Sequence, residues 1–225
     1  MMNEVGSPAE RAAKLAVLAG EAQSCTKCRL AESRTNVVFG SGDPDADVMF
    51  VGEGPGQQED EQGLPFVGRS GQLLEQLLGE IGLARHDVYI ANVVKCRPPK
   101  NRDPRPDEID ACKDYLRTQL QLIQPKVVVT LGNFASKLLL RTDTGITQLR
   151  GNAYEWWGRF LVPTFHPAAA LRGSARVLAE MREDFALVKA VVDGKLQTRP
   201  PEPAAEDLLA AADPEPEQMD LFSHD

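Results

Sequence analysis

Four short apolar runs constrain this chain more than any other feature: DVMFVG at 47–52, DVYIANVV at 87–94, KVVVTLG at 126–132 and FLVPTF at 160–165. Their hydrophobic positions are consecutive rather than alternating, so an extended strand made from them is apolar on both faces and needs cover on both sides. Helical periodicity fills the gaps, at 70–82, about 106–122 and 133–140, and again at 174–192. An amphipathic helix is predicted over 8–23, with Leu15, Leu18 and Ala22 on one face. Strands alternating with helices predict an α/β fold, a three-layer α/β/α sandwich around a central, mainly parallel four-stranded sheet. A chain of 225 residues that is 42% apolar can bury one substantial core.

The ends of the chain read differently. Beyond Gly194 the composition turns to Pro, Ala and Glu, which cannot bury enough apolar area to offset chain entropy. The expected organisation is a flexible start at 1–7, a folded domain at 8–195 and a disordered acidic tail at 196–225. The start of the chain carries no basic segment leading into an apolar stretch, and no apolar run approaches bilayer length. A cytoplasmic protein without membrane contact, working as a monomer, is expected.

A net charge of -8 looks hostile to nucleic acid. The excess is local, because Arg199 to Asp225 hold eight acids and one base. In the body, Lys95, Arg97, Lys100, Arg102 and Arg105 are opposed within their own stretch only by Asp103. A nearly neutral body with one basic loop remains compatible with DNA binding.

In open parallel sheets ligands bind beyond the carboxyl ends of the strands. Those ends carry Gly52-Glu53, Asn92, Gly132-Asn133 and His166. The first leads into GEGPGQQEDEQGLPFVG, residues 52–68. A glycine-rich turn between a strand and a helix usually cradles phosphate, and GLPFVGRS at 63–70 misses the Walker A pattern only by Arg69 in place of Lys. The physics opposes that reading, since Gly63 does not leave a strand and Glu53, Glu59, Asp60 and Glu61 would repel a triphosphate. The glycines instead let backbone approach a ligand at Gly54 while Glu53 projects from the strand end.

Cys25 and Cys28 form a CxxC, with Cys96 and Cys112 far downstream. In a reducing compartment four cysteines point to metal sooner than to disulfides. A thioredoxin-like use would place the motif after a strand and need no further cysteines. Four thiolates suit tetrahedral zinc or an iron-sulfur cluster, and spacing does not choose between them. Either would tie the N-terminal helix to the proline-rich loop after Cys96.

Taken together, GEGPGQQEDEQGLPFVGRSGQLL, ANVVKCRPPKNR and FHPAAALR resemble the motifs of family 4 uracil-DNA glycosylases, the iron-sulfur class of bacteria and archaea, over roughly residues 22–192. A bacterial member is expected. In that family four cysteines hold a 4Fe-4S cluster, so the resemblance tips the metal towards iron-sulfur and leaves zinc as the alternative. It implies hydrolysis of the N-glycosidic bond of deoxyuridine in DNA, the first step of base excision repair. The competing readings are a non-catalytic DNA-binding module and a P-loop-like nucleotide hydrolase.

The implied chemistry suits each residue type. An extruded base is held by stacking and by its Watson-Crick edge. Phe66 matches the family's stacking aromatic. Asn92 matches its uracil-reading Asn, whose carbonyl can accept from N3-H while its amide donates to O4. His166, in the HPA motif, would donate to O2 as negative charge builds there. Glu53 would orient or activate water and stabilise the cationic sugar, while Glu59 or Asp60 would border the pocket and help exclude the thymine methyl. Pro55, Gly56, the loop beginning Pro167 and the basic stretch from Lys95 to Arg105, with Arg97, Lys100 and Arg102, would contact phosphates. Leu171 or Arg172 would enter the gap left by the base. A related branch that bonds covalently to DNA carries a Gln-Pro-Gly motif and a basic insertion with a nucleophilic His; both are missing here, so ordinary turnover is predicted. Finally, QMDLF at 218–222 resembles the peptide by which bacterial repair proteins bind the sliding clamp, with Leu221 and Phe222 for an apolar pocket and Gln218 for a polar notch.

Overall fold

The computed structural model describes residues 6–173 and 175–196. The tail expectations, including Gln218, Leu221 and Phe222, and most of the N-terminal segment lie outside the described residues. Helix α1 (Pro8–Gln23) starts at Ser7, which shares a reciprocal capping box with Glu10 and is followed by Pro8 in the first turn. Along the chain follow β1 (Ser41–Gly42), β2 (Val48–Gly52), α2 (Gln57–Gln62), α3 (Arg69–Glu80), β3 (Tyr89–Asn92), α4 (Pro106–Ile123), β4 (Val127–Leu131), α5 (Asn133–Leu140), α6 (Ile146–Leu149), β5 (Tyr154–Trp156), β6 (Arg159–Thr164), α7 (Pro167–Leu171) and α8 (Ala175–Val192).

The sheet has six strands in the order β1-β3-β2-β4-β6-β5, not the four expected. The four predicted strands form its parallel centre. The two additions are antiparallel edges, β1 on β3 and β5 on β6. Edge strands escape a hydrophobicity reading because one flank stays unpaired and both can be short. β1 is two polar residues, and β5 is the outer arm of a hairpin turning at Trp157-Gly158.

Both faces of the central strands are covered, as their continuous apolarity demands. In β2, Met49 and Val51 pack with Leu15, Tyr115, Leu116 and Leu120, beneath α1 and α4. Val48 and Phe50 face the other way, against Leu74, Leu77, Phe185 and Val188 of α3 and α8. The end of β6 is fixed by a buried polar group: Asp184 accepts from Thr164 Oγ1 at 2.7 Å and pairs with Arg150 at 2.9 Å. That anchor sits two residues before His166.

Candidate active site

Parallel register brings the predicted strand ends together. Gly52 is the partner of Asn92 across β2 and β3, Val94 N-H donates to the Glu53 carbonyl at 3.1 Å, and Gly132 N-H to Thr164 O at 2.9 Å. A cleft of about 640 Å³ opens at this edge, lined by Glu53, Glu59, Phe66, Asn92 and His166 among others. A second groove, sharing Glu53 and His166 with it, runs over α5 past Lys137. Asn133, the remaining strand-end residue, is exposed and accepts from Ile146 N-H at 3.0 Å, a structural task.

The aromatic wall is Phe66, 6% exposed, with its ring centroid 5.8 Å from that of His166. Its backbone adopts φ 50°, a conformation that non-glycine residues hold only when neighbours impose it. Those neighbours are identifiable. Glu59 Oε1 accepts from Val67 N-H at 3.0 Å and from Gly68 N-H at 3.1 Å. Arg85 donates to the carbonyls of Phe66, at 2.9 Å, and Pro65. Gly52 must lack a side chain, since a Cβ there would lie 2.8 Å from Phe66 Cζ and strike Asn92 Oδ1. Glu59 thus lines the cleft and also holds its wall. Asp60 is buried, accepts from Thr35 N-H at 3.0 Å and does not line this cleft.

Asn92 is 1% exposed, lines the cleft, and its Oδ1 has no hydrogen-bond partner. A buried acceptor left unmade costs on the order of 1–3 kcal/mol. His166 opens α7, and its Nδ1 accepts from Ala168 N-H at 3.2 Å. The neutral ring therefore carries its proton on Nε2. Burial lowers its pKa to about 4, with Arg172 acting in the same direction and Glu59 opposing. Gly132, at φ +96°, passes so close that a Cβ would lie 3.0 Å from His166 Cβ. Glu53 is raised to about 7, first by burial and then by the nearby carboxylate of Asp103. Asp103, Arg85 and Lys95 were given no such roles by sequence reasoning.

Among the predicted phosphate contacts, Pro55, Gly56, Arg102 and Arg172 line the cleft. Arg97 bonds Asn101 Oδ1 at 2.9 Å and Lys100 is exposed. Arg102 is held by the fully buried Glu108 through two bonds of 2.6 and 2.8 Å. Pro167 is buried and Leu171 half-buried. Lys95 is fully enclosed, so the basic stretch available to DNA starts later than expected.

Cys25, Cys28, Cys96 and Cys112 are unpaired and line one cavity between α1 and α4. Two sulfurs receive donors, Cys96 from Arg34 at 3.4 Å and Cys112 from Lys95 N-H at 3.3 Å. Among the described residues no three His, Cys, Asp or Glu side chains are grouped so as to hold a single metal ion.

A family model, Uracil DNA glycosylase superfamily, matches residues 39–189. The chain is 47% identical over 178 residues to the Type-4 uracil-DNA glycosylase of Sulfurisphaera tokodaii, covering 75% of this chain and 80% of that protein. It is 45% identical over 179 residues to the enzyme of the same name from Thermotoga maritima, covering 78% and 93%. To that of Archaeoglobus fulgidus it is 48% identical over 159 residues, covering 67% and 80%.

Proposed function

The chain belongs to the type-4 uracil-DNA glycosylases, and from that membership we propose how its cleft divides the work. The enzyme hydrolyses the N-glycosidic bond of deoxyuridine in DNA, releasing uracil and leaving an abasic site for base excision repair. The single observation that carries the assignment of roles is the unpartnered Oδ1 of Asn92, buried beside Phe66. Uracil offers N3-H to that atom and O4 to the amide; cytosine presents the reverse pattern and would leave both groups unpaired, the stronger form of rejection.

With the base against Phe66, the bond from C1′ to N1 breaks and its electron pair leaves with uracil. His166 Nε2-H donates to O2, where the charge gathers, and Gly132 and Ala168 fix the ring beforehand. A neutral imidazole suits this task, because it donates without giving up its proton. Glu53, ionised above about pH 7, takes the proton of the water that adds to C1′ and faces the positive charge on the sugar. Glu59 acts through the Phe66 loop as well as bordering the base.

The four cysteines suit a 4Fe-4S cluster. Four sulfurs around one cavity, in a chain of the type-4 family, support a polynuclear group over zinc. Cys25, Cys28, Cys96 and Cys112 would hold it, and it would join the end of α1 to the loop before α4 as a structural clasp. Iron with acid-labile sulfide and a broad visible absorbance is the expected composition; zinc without iron would overturn it.

Among the described residues no helix is long and apolar enough to cross a membrane, and we place the enzyme in the cytoplasm as a monomer. Residues 8–195 would form the catalytic unit, with QMDLF as a clamp ligand at the end of a Pro-, Ala- and Glu-rich stretch. The direct test of the catalytic reading is uracil release from single-stranded and double-stranded uracil-containing DNA in EDTA without nucleotide. A P-loop hydrolase or a non-catalytic binder releases nothing under those conditions. Asn92→Ala and His166→Ala together should abolish release, and an unchanged rate would remove the assignment.

A further inference from the structure

Lys95 is the only lysine or arginine among the described residues that is fully enclosed in the core, at 1% exposure. An ammonium in that setting is costly unless the surrounding groups satisfy it, and an apolar side chain of similar volume carries no such cost. Among the described residues its hydrogen-bond partners are neutral. Nζ donates to the main-chain carbonyl of Asn92 at 2.8 Å and to Gln119 Oε1 at 2.5 Å, and it lies 5.8 Å from the centre of the Phe39 ring. Gln119 is itself aimed, donating from Nε2 to Phe39 O at 2.9 Å and to Tyr89 Oη at 3.3 Å. β1 pairs with β3 only at Tyr89 and Ile90, so the ladder on that flank ends before Asn92. The main chain of Lys95 is fixed as well: its carbonyl accepts from Val38 N-H at 2.8 Å and its N-H donates to Cys112 Sγ at 3.3 Å.

We propose that Lys95 is a positioning residue for base recognition: its enclosed ammonium grips the Asn92 main chain and so holds the unpartnered Oδ1 towards the imide N-H of the extruded uracil. The charge is retained because a dipole alone would hold the strand end less firmly, and the Asn92 side chain has no partner of its own at Oδ1 until substrate arrives. This rests on Asn92 reading uracil.

The test compares Lys95→Met, Asn92→Ala and the parent enzyme, each with its iron content and visible absorbance measured. Three quantities are read: inhibition by free uracil, kcat/KM on uracil-containing DNA, and affinity for DNA carrying an abasic-site analogue, which has no base to recognise. For Lys95→Met with full iron, inhibition by free uracil should weaken about tenfold, equivalent to about 1.4 kcal/mol. Its kcat/KM should fall at least as far, while affinity for abasic DNA stays within about twofold of the parent. Unchanged uracil inhibition in iron-loaded Lys95→Met overturns the proposal, as does a parallel loss of abasic-DNA affinity, which would mark a general structural role. If Lys95→Met fails to take up iron, Gln119→Leu decides: it removes one anchor of the ammonium and leaves the bond to Asn92. About threefold weaker uracil inhibition with unchanged abasic binding is then expected, and unaltered inhibition overturns the proposal. Should Asn92→Ala leave uracil inhibition intact, the premise falls and the proposal with it; loss in Asn92→Ala beside no change in Lys95→Met removes the proposal alone.

Discussion

Glu53 and His166 meet at the edge of one cleft, and burial acts on them in opposite directions, lifting the carboxyl to about 7 and lowering the imidazole to about 4. Both shifts favour the neutral form, as desolvation requires. For the reaction this predicts a kcat/KM that rises with pH and levels above about 7, with no further limb from His166 at any pH above about 5. Glu53→Gln should lower the plateau and flatten the rise. Stability runs the other way. A carboxyl with a raised folded pKa binds its proton more tightly in the folded state, so its contribution is fully present below the unfolded pKa of 4.5 and is lost as pH rises through about 7. Glu53→Gln should therefore raise Tm at pH 8 and leave it nearly unchanged at pH 4, measured by thermal melts; equal shifts at both would place the carboxyl in water. His166→Ala removes a preorganised donor, and a loss of on the order of 10² to 10³ in kcat is expected, read in single-turnover assays.

At the scale of elements, the proposed stacking wall depends on side chains that grip the main chain around Phe66. Arg85, nineteen residues beyond Phe66, and Glu59, from α2, hold the 65–68 loop by main-chain contacts. Arg85→Ala should lower kcat/KM about tenfold or more through misplacement of Phe66 while far-ultraviolet dichroism and abasic-DNA affinity persist. Arg102 offers a parallel case at the start of α4. A residue that served only phosphate would change affinity alone, but Arg102 also satisfies Glu108, which has no exposed surface. Arg102→Ala should therefore lower Tm as well as DNA affinity, whereas Arg97→Ala lowers affinity only. These contrasts explain what could be read from the chain. The central strands were legible because both of their faces are buried, and Glu53, Asn92 and His166 were legible because they follow those strands directly. α2 was not, since QQEDEQ is polar all round and buries only Asp60. The parts of Arg85 and Asp103 were hidden because each acts on a group brought near only by the fold, and that of Lys95 because no local window shows that the core encloses its side chain.

Across the whole molecule, charge is segregated in a way that matters for a DNA enzyme. Arg199 to Asp225 account for -7 of the net -8, so the catalytic body approaches DNA almost uncharged, with Arg102 and Arg172 among its cations at the cleft. An acidic stretch joined to that body opposes phosphate, and removing residues 197–225 should raise non-specific DNA affinity most at low salt, where screening is weakest. The proposed clamp ligand gives that tail a use. QMDLF at the end of a polar leader would convert each search into a local one, through effective concentration rather than new contacts to uracil. Deleting 217–225 removes the ligand and only part of the acidic stretch, so the two effects separate. Clamp binding should vanish while the excision rate on naked DNA stays at the parent value, and clamp-stimulated excision on long DNA should fall to the unstimulated rate. A deletion that leaves clamp affinity intact would show that the segment serves some other purpose. A deletion that speeds excision on naked DNA as much as the full 197–225 truncation would mean that repulsion, not docking, is what these residues contribute.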